Sequence, residues 1–249
     1  MRLKGRNKYK MHAAMRKNNN LKPYLPRTVR WSKANFYKML KRYKSIVVKP
    51  NNGKKGRSIY FIKVNSGNYV MYINRRRRVF KSKNSLYQYM RKKTRKRRFN
   101  IQPEIKLAKI KGRPVDFRVI VQRKSVSSPW KVTGMIARKA GKGYKVTNRH
   151  RNGRVMPLRR SLKRINKKAK TRQAIENDFK RISLKAANTL GAYFPRQRIF
   201  AVDIGMDRKG SLYIFELNRW PGLVGFKRLK NKSQLRRIRY YLRKKRKAS

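Results

Sequence analysis

Three of the seven acidic residues in this 249-residue chain lie within fourteen positions, between Asp203 and Glu216. An even spread would leave fewer than one acid in a window of that length. Two of these acids, Asp203 and Glu216, combine with Asn218 to offer two carboxylates and one amide oxygen. Oxygen donors of this kind suit Mg²⁺, which proteins hold partly through water and partly through substrate phosphates. The sequence therefore predicts a magnesium site at these three residues.

A β-hairpin is the element that must position these ligands. Two apolar runs, residues 199–206 and 211–218, flank Asp207-Arg208-Lys209-Gly210, whose Asp and Gly favour a tight connection. The expected cross-strand pairs are Met206 with Ser211, Asp203 with Ile214, and Glu216 with Ala201. Because side chains alternate with a period of two, the three candidate ligands then share one face. The residues expected on the opposite face are Val202, Ile204, Tyr213 and Phe215.

A simpler interpretation is that Asp203 and Glu216 are only local partners of surface Lys and Arg side chains. The composition weakens this interpretation, because a chain with so few acids has kept two at positions compatible with one sheet. Neighbouring carboxylates repel each other unless a cation joins them. Both interpretations stay open from the sequence alone.

A glycine-bearing loop offers a second kind of chemistry. Residues 45–50 form a predicted strand that includes Lys49, and residues 51–58, with Gly53 and Gly56, lead into another strand. Such a loop can bring backbone N–H groups against phosphate oxygens, with a lysine beside them. A plain glycine hairpin has the same sequence features, so the motif alone does not decide between the two.

The run at residues 114–122 alternates in polarity, which predicts a strand with two different faces. Its apolar side is formed by Val115, Phe117, Val119 and Val121. Asp116 and Arg118 lie side by side on the other face, toward a cleft, where an arginine can fork onto phosphate or carboxylate. The alternative is a surface ion pair.

Apolar spacing predicts most of the remaining elements. Helices are expected at residues 9–17, from Ser32 through Tyr43, from Ser82 or Asn84 to Met90, from Arg172 to Gly191, and in the tail at 227–245. Further strands are expected at residues 59–64, 69–73, 78–80 and 130–139. Residues 32–100 are thus predicted to form a small lobe of mixed helix and strand.

Composition limits the classes of protein and site. With 39% hydrophobic residues the chain can build a core, so disorder throughout is not expected. The absence of cysteine excludes disulfides, thiolate zinc sites and cysteine nucleophiles, and His12 and His150 are too few for a multi-histidine metal site. The N-terminus lacks the apolar core of a signal peptide, and no apolar run approaches the roughly 18 residues of a membrane span. We therefore expect a soluble cytoplasmic protein.

The net charge of +69 predicts a polyanionic partner. Nucleic acid is the usual partner for such a balance, bound non-specifically at roughly 10⁻⁴–10⁻⁶ M with a steep dependence on salt. Charge alone does not name the polyanion, since teichoic acid, polyphosphate, polyglutamate or another acidic peptide would also fit.

Five motifs occur in an order that resembles a known family. They are Tyr24-Leu25-Pro26-Arg27-Thr28, Val47-Val48-Lys49-Pro50, Gly112-Arg113-Pro114-Val115-Asp116-Phe117-Arg118, Val146-Thr147-Asn148, and the Asp203 hairpin with Glu216-Leu217-Asn218 and Pro221-Gly222. The hairpin resembles the magnesium-binding end of the ATP-grasp superfamily. Over about residues 8–230 the ordered set is similar to its YheC/YheD family of spore-coat-associated proteins. The resemblance implies an α+β fold of two lobes clasping ATP, with a basic strap at residues 1–31, a small lobe at 32–100 and a large lobe at 101–249.

The resemblance also implies roles around the nucleotide. Lys49 would contact the phosphates, and the loop with Gly53 and Gly56 would cover them. Gln102 and Glu104 would meet adenine and ribose, although Glu104 could equally form a local salt bridge. This chain departs from the family pattern, because Arg57-Ser58 stands where another glycine is usual, Lys54-Lys55 replace smaller residues, and Pro103 removes an N–H donor near adenine.

The roles implied for the second lobe concern phosphate and metal. Arg118 would bind phosphate with Asp116 orienting it, and Arg138 and Asn148 would approach the acyl phosphate or the second substrate. The implied magnesium ligands are Asp203, Glu216 and Asn218, and the implied cofactors are ATP and Mg²⁺.

Two functions follow as hypotheses. The resemblance implies an ATP-dependent ligase that joins a carboxylate to an amine, here acting on an acidic peptide or polymer, with spore association. The alternative is a non-enzymatic binder of nucleic acid or another polyanion on the same scaffold, and a surface recharged by design is also compatible with the composition. The retained acids favour the enzyme, whereas the altered glycine loop and the charge favour the binder.

Overall fold

The computed structural model describes residues 3, 5, 7–53, 56–147, 152–165 and 169–243. Helices and two antiparallel sheets make up the described chain, which confirms the α+β prediction. In the part of the chain so described, no helix combines the length and apolar character needed to cross a membrane.

The first sheet has six strands in the order β1-β6-β2-β3-β4-β5. They are β1 (Val29–Arg30), β2 (Ser45–Pro50), β3 (Tyr60–Asn65), β4 (Asn68–Ile73), β5 (Arg76–Phe80) and β6 (Phe99–Pro103). Helices α2 (Lys33–Tyr43) and α3 (Lys83–Thr94) supply buried side chains to its core, where Phe36, Ile46, Ile62 and Leu86 meet. Helix α2 begins where the sequence predicts, because the Ser32 hydroxyl accepts a hydrogen bond from the Asn35 amide at 3.1 Å.

The second sheet runs in the order β10-β9-β8-β11-β12, with β7 paired to β8. Its strands are β7 (Lys109–Ile110), β8 (Arg113–Gln122), β9 (Lys131–Lys139), β10 (Arg154–Pro157), β11 (Ile199–Met206) and β12 (Leu212–Asn218). Helices α1 (Lys8–Arg16), α4 (Leu158–Arg164) and α5 (Ala169–Tyr193) pack over one face of this sheet. The apolar side of β8 points into that core, as its alternation predicts.

The opposite face of the second sheet is divided into two parts. Helices α6 (Val224–Lys227) and α7 (Ser233–Leu242) cover the apolar part, where Phe226 and Ile238 pack on Ile120 and Ile136. The approach is close, because a Cβ at Gly134 would lie 2.7 Å from a ring carbon of Phe226. The uncovered part of this face carries charged side chains and forms one wall of a cleft.

Helix α5 extends beyond its predicted end at Gly191. It continues to Tyr193, and a Cβ at position 191 would lie 3.1 Å from Nε1 of Trp130. The glycine therefore makes room for an indole inside the helix and does not terminate it.

The N-terminal segment connects the two sheets. Helix α1 buries Met11 and Met15 in the core of the second sheet, whereas β1 pairs with β6 in the first. The proposed boundaries at residues 31/32 and 100/101 stay predictions. Strand β6 crosses the second boundary and belongs to the first sheet.

Candidate active site

A cleft of about 1120 Å³ lies between the two sheets and collects most of the residues singled out from the sequence. The predicted site residues on its walls are Lys49, Gly53, Gly56, Gln102, Glu104, Asp116, Arg118, Arg138, Asp203, Glu216 and Asn218. Asn148 lies outside the described residues. The cleft therefore unites every described member of the predicted set.

Neighbouring strands of the second sheet align the charged residues. Asp116 on β8 faces Arg138 on β9, while Arg118 on β8 faces Asp203 on β11. Asp203 in turn faces Glu216 on β12. Four adjacent strands thus place five charged side chains in one layer at the uncovered face.

The prediction that Asp116 orients Arg118 is wrong. The Nε and Nη2 atoms of Arg118 donate to the two carboxylate oxygens of Asp203, each at 2.8 Å. Asp116 accepts the equivalent fork from Arg138, at 2.7 and 2.8 Å, and a hydrogen bond from the Thr147 hydroxyl at 2.5 Å. Each arginine therefore pairs with an aspartate on the neighbouring strand. Directly opposed residues on two paired strands lie closer together than residues two apart on one strand.

These pairs keep Asp203 ionised. Burial alone would raise the pKa of Asp203, but the guanidinium groups of Arg118 and Arg138 outweigh burial and lower that pKa from 3.8 to about 2. Burial would likewise lower the pKa of Arg138, yet Asp116 and Asp203 raise it above its usual value. Asp116 differs, because burial raises its pKa despite the fork from Arg138 and the hydrogen bond from Thr147.

The three predicted magnesium ligands do share one face. The Asn218 amide nitrogen donates to Glu216 Oε1 at 2.9 Å and lies 3.4 Å from Asp203 Oδ2. Amide oxygen and nitrogen are assigned from their hydrogen bonds, so the same side chain can offer its oxygen when rotated. The result that Asp203 and Glu216 point into the same cleft agrees with the prediction.

The predicted register of the hairpin is wrong in two places. Met206 pairs with Leu212 and not with Ser211, and a bulge beyond Asp203 then brings that residue opposite Glu216 and not Ile214. Each deviation shifts the strand pairing by one residue, and together they shift it by two. Because side chains alternate with a period of two, the three ligands still share one face. Between the two shifts the alternation is reversed, which buries Ile214 and leaves Phe215 lining the cleft, contrary to its expected place opposite the ligands.

Two lysines supply positive charge beside Glu216. The Lys8 ammonium forms a salt bridge with Glu216 Oε2. Burial would raise the pKa of Glu216, but Lys8 and Lys49 outweigh burial and the neighbouring Asp203, so the pKa is lowered. Lys49 is itself half-buried and donates to the Phe215 carbonyl at 3.4 Å, and the loss of water around its ammonium lowers its pKa from 10.5 to about 8.

The first sheet contributes the opposite wall of the cleft. Gly53 lies so close to Pro50 that a Cβ would come within 2.5 Å of its ring, and Gly56 has a φ of +65°. A side chain at position 53 would clash with Pro50, and side chains rarely adopt the φ of Gly56, so both positions favour glycine. Residues 54 and 55 of the loop are outside the described ranges.

Gln102 and Glu104 lie at the end of β6 and are already engaged. Gln102 donates to the Thr28 hydroxyl at 2.6 Å. Glu104 accepts from Lys145 at 2.7 Å and from the Ser45 hydroxyl at 2.6 Å. The local salt bridge considered for Glu104 is thus present, alongside its place on the cleft wall.

Sequence reasoning missed Lys8, Thr147 and Lys145 as members of this site. Lys8 forms a salt bridge with Glu216, which is 208 residues away in the sequence, and Lys145 forms one with Glu104, which is 41 residues away. No local spacing signals such contacts. Thr147 belongs to the Val146-Thr147-Asn148 motif. Hydroxyl side chains are common in loops, so the residue type alone does not indicate a place in the site.

The donor set fits a magnesium ion. Two carboxylates with lowered pKa values and an amide lie together in the cleft, beside the half-buried Lys49, whose charge suits phosphate. Among the described residues there is no group of three or more His, Cys, Asp or Glu that could hold a metal by itself. Asp203, Glu216 and Asn218 would therefore share the ion with water and substrate phosphates.

The chain matches one protein family and is similar to a curated protein of known name. The family model described as YheC/D like ATP-grasp matches residues 3–245. Among curated proteins the chain is similar to the endospore coat-associated protein YheD of Bacillus subtilis (strain 168), with 25% identity over 223 residues. The match covers 87% of this chain and 48% of YheD, so the chain spans about half the length of that relative.

Two solved structures that share this fold are a synthetase and a ligase. D-cycloserine synthetase DcsG is similar over 96% of this chain and 71% of its own, with a TM-score of 0.56 and 10% identity. The L-amino acid ligase from Bacillus licheniformis is similar over 89% of this chain and 42% of its own, with a TM-score of 0.53 and 17% identity. At these identities the likeness shows a shared fold alone.

Proposed function

The chain belongs to the YheC/D-like ATP-grasp family, and from that premise we propose that it binds Mg-ATP and joins a carboxylate to an amine. The observation that carries the proposal is the convergence of Asp203, Glu216 and Asn218 with Lys49 and Arg118 in one cleft. A protein that only binds polyanions has no use for buried carboxylates, because they repel the ligand.

The metal would be held by Asp203, Glu216 and Asn218. When bound, Mg²⁺ would offset the negative charge that develops as a phosphoryl group is transferred. The Asn218 amide already contacts both carboxylates, so the three side chains are prearranged by the hairpin.

Lys49 and Arg118 would position the phosphates of the nucleotide. Lys49 is half-buried at the cleft wall, where partial removal from water strengthens its attraction for phosphate. Arg118 uses two of its five N–H donors on Asp203, so the rest of its fork can reach a phosphate while Asp203 keeps its orientation.

The cover and the nucleoside site would come from the first sheet. We propose that the loop with Gly53 and Gly56 closes over the phosphates, and that Gln102 and Glu104 lie beside adenine and ribose. Lys145 links Glu104 to the second-sheet side of the cleft, which supports a role for this pair in joining the two walls around a nucleoside.

The chemistry has two balanced steps. A substrate carboxylate oxygen attacks the γ-phosphorus, and ADP leaves with the bonding electrons, which yields an acyl phosphate. An amine then attacks the acyl carbon, phosphate leaves, and the amine loses a proton to form the amide. Arg138 and Asn148 are proposed to face the acyl phosphate or the second substrate, and Asp116 orients Arg138.

The carboxylate substrate is proposed to be an acidic peptide or polymer. Beyond the paired cations, the cleft is lined by further arginines, namely Arg57, Arg113, Arg208, Arg219 and Arg228. This number of cations exceeds what Mg-ATP alone would balance, and such a field steers anionic substrates toward the cleft.

Hydroxylamine trapping tests the proposed reaction. The protein is incubated with Mg-ATP, an oligoglutamate peptide and hydroxylamine, and hydroxamate and ADP are quantified. The proposal predicts equal amounts of both products, dependent on Mg²⁺ and abolished by Lys49→Met. ADP formation that is indifferent to the peptide and yields no hydroxamate would refute ligase chemistry on acidic peptides.

Spore association is part of the same proposal and rests on the similarity to a protein named as endospore coat-associated. We propose that the protein is made in the cytoplasm and joins the coat. Its recovery in a coat extract of purified spores is the expected result, and its absence from that extract would count against this location.

Nucleic-acid binding is a second candidate function, favoured by one surface. The edge strand β5 and helix α3 expose Arg76, Arg78 and Lys93, and residues 1–103 contain 33 Lys and Arg but no Asp or Glu. Arg78 and Lys93 flank the Tyr89 ring at 4.8 and 5.4 Å. An aromatic ring between cations can contact bases while the cations contact phosphates.

Salt-dependent binding of duplex DNA tests this candidate. Replacing Arg76, Arg78 and Lys93 with Gln should lower the slope of log affinity against log salt by about 2–3, since each phosphate contact contributes about 0.9. The matched control replaces the exposed Arg236, Arg237 and Arg239 of α7 with Gln. An equal change in both triple variants, or a flat salt response of the wild type, would argue against a specific face.

A further inference from the structure

We propose that Lys8, on the N-terminal helix α1, is a tethered counter-cation that holds Glu216 until a divalent ion takes its place. The inference rests on the proposed function, because it concerns the same metal site. It assigns to the N-terminal segment a direct part in metal binding, where the sequence indicated only a strap.

The contact between Lys8 and Glu216 is specific. Lys8 is the first residue of α1, and its ammonium reaches Glu216 Oε2 across 208 residues of chain. Their side chains are 21% and 20% exposed, so the pair is largely shielded from solvent. Shielding strengthens the attraction relative to an ordinary surface pair.

Every carboxylate oxygen of the two acidic ligands already has a donor. Glu216 Oε1 accepts from Asn218 and Oε2 from Lys8, while both oxygens of Asp203 accept from Arg118. Each carboxylate oxygen keeps a second lone pair, but a divalent ion that binds Glu216 Oε2 meets the Lys8 ammonium at close range, and the two cations repel each other. Both carboxylates are therefore paired with N–H donors in the absence of metal, which lowers their mutual repulsion.

Lys8 is the donor best placed to leave. Arg118 stands on the strand next to Asp203 and holds it with a planar fork, so its release would break two hydrogen bonds. Lys8 forms a single contact to this site through a flexible four-carbon stem. The exchange at Glu216 thus costs less than the exchange at Asp203.

Displacement of the Lys8 side chain from Glu216 is expected to affect the loop that follows β2. The Lys8 backbone N–H donates to the Asn51 carbonyl at 3.4 Å, and Asn51 opens the glycine loop. A lysine at the start of a helix also opposes the helix dipole, which Glu216 compensates. Because Met11 and Met15 anchor the rest of α1 in the core, the exchange affects the first turn of the helix and the loop beside it.

Titration with Mn²⁺ alone, followed by electron paramagnetic resonance at pH 7.5, tests the inference without nucleotide or turnover. The variants are Lys8→Met and Lys8→Arg, with Lys10→Met as the matched control. Lys10 is exposed on the same helix, so its removal deletes one charge without touching Glu216. Thermal unfolding with and without Mn²⁺ is recorded for each variant.

The inference predicts that Lys8→Met binds Mn²⁺ roughly tenfold more tightly than the wild type, as expected for removing a close competing charge. Lys10→Met and Lys8→Arg should remain within about twofold of the wild type, and Mn²⁺ should raise the melting temperature of Lys8→Met most. Lys8→Gln, which keeps a donor without the charge, replaces Lys8→Met if that variant fails to fold, with the same expected direction.

Two contrary results are distinguishable. If Lys8→Met binds Mn²⁺ no better than Lys10→Met, the inference is overturned while the metal site stands. If no variant binds Mn²⁺, or Glu216→Gln binds it as well as the wild type, the metal site fails and the inference fails with it.

Discussion

The two sheets of this protein carry their positive charge in opposite ways. Around the first sheet most cations are exposed and lack an acidic neighbour in sequence, since residues 1–103 contain no acid, whereas Lys49 on β2 lines the cleft. In the second sheet Arg118 and Arg138 point into the cleft and are held by Asp203 and Asp116. The net charge therefore reflects the exposed cations on the surface. The acids of the second sheet, in contrast, hold arginine side chains in fixed positions in the cleft.

The same contrast exists within the second sheet. One part of its outer face is apolar and covered by α6 and α7, and the other part is charged and open to the cleft. The covered part contributes stability through packing, whereas the open part holds the paired charges and is the proposed binding site. Changes in the two parts should therefore have different consequences.

Removing an inward acid should have the largest effect. We expect Asp203→Asn to lower the free energy of unfolding by about 3–5 kcal/mol, because it leaves buried guanidinium groups without their counter-charge. Urea unfolding at fixed ionic strength measures this. The control is Asp178→Asn on the exposed side of α5, where the expected change is within about 0.5 kcal/mol. A loss below about 1 kcal/mol for Asp203→Asn would remove the distinction between inward and outward charge.

Acid should weaken the junction between the two sheets through His12. This side chain contacts the Pro26 carbonyl and the Thr28 hydroxyl, and burial, together with Lys49 nearby, lowers its pKa from 6.5 to about 4. The unfolded chain therefore takes up the proton first, so this contribution to stability is present above pH 6.5 and is lost as pH falls toward 4. We expect a loss of roughly 2–3 kcal/mol from this group.

Comparing wild type with His12→Gln isolates that contribution from the carboxylates. The difference in unfolding free energy between the two proteins should shrink between pH 7 and pH 4.5. A constant difference across this range would show that His12 does not titrate as its burial implies.

The covered part of the second sheet should respond to added volume. Gly134→Ala places a methyl group within 3 Å of both Phe226 and Ile238. We expect a loss of about 1–3 kcal/mol, with α7 released first. Hydrogen exchange of the α7 amides measures the release, and unchanged protection would show that the helices adapt. Gly222→Ala, where no atom lies within 4 Å, is the control.

The outward cations should matter least for stability. Replacing Arg76 and Arg78 on the edge of the first sheet with Gln should change the unfolding free energy by no more than about 0.5 kcal/mol, and in the stabilising direction at low salt, because like charges are removed. Thermal unfolding at two salt concentrations measures this. A large destabilisation would mean that these arginines have structural partners.

The sequence predicted those parts of the fold that depend on local pattern. The alternation along β8 identified both its buried side and the cleft-facing Asp116 and Arg118, and Ser32 marked the start of α2. The common face of the magnesium ligands was also predicted. The sequence predicts no strand at β6, because this strand depends on pairing with β2, which is distant in sequence.

The errors concern relations between strands. The hairpin register depends on a bulge, and nothing in an apolar run announces where one residue is inserted. The partners of Arg118 and Arg138 depend on which strands are adjacent, so spacing along β8 could not assign them. The Lys8 contact depends on the packing of α1 against the second core, which is a property of the whole fold.

Calorimetric titration with a nonhydrolysable ATP analogue, with and without Mg²⁺, tests the central claim most directly. The account predicts binding that requires Mg²⁺, weakens at least tenfold in Glu216→Gln, and is unchanged in Glu176→Gln, whose carboxylate pairs with Arg159 and Lys180 on the other side of the sheet. Binding that ignores Mg²⁺, or that is equally strong in Glu216→Gln, would contradict it.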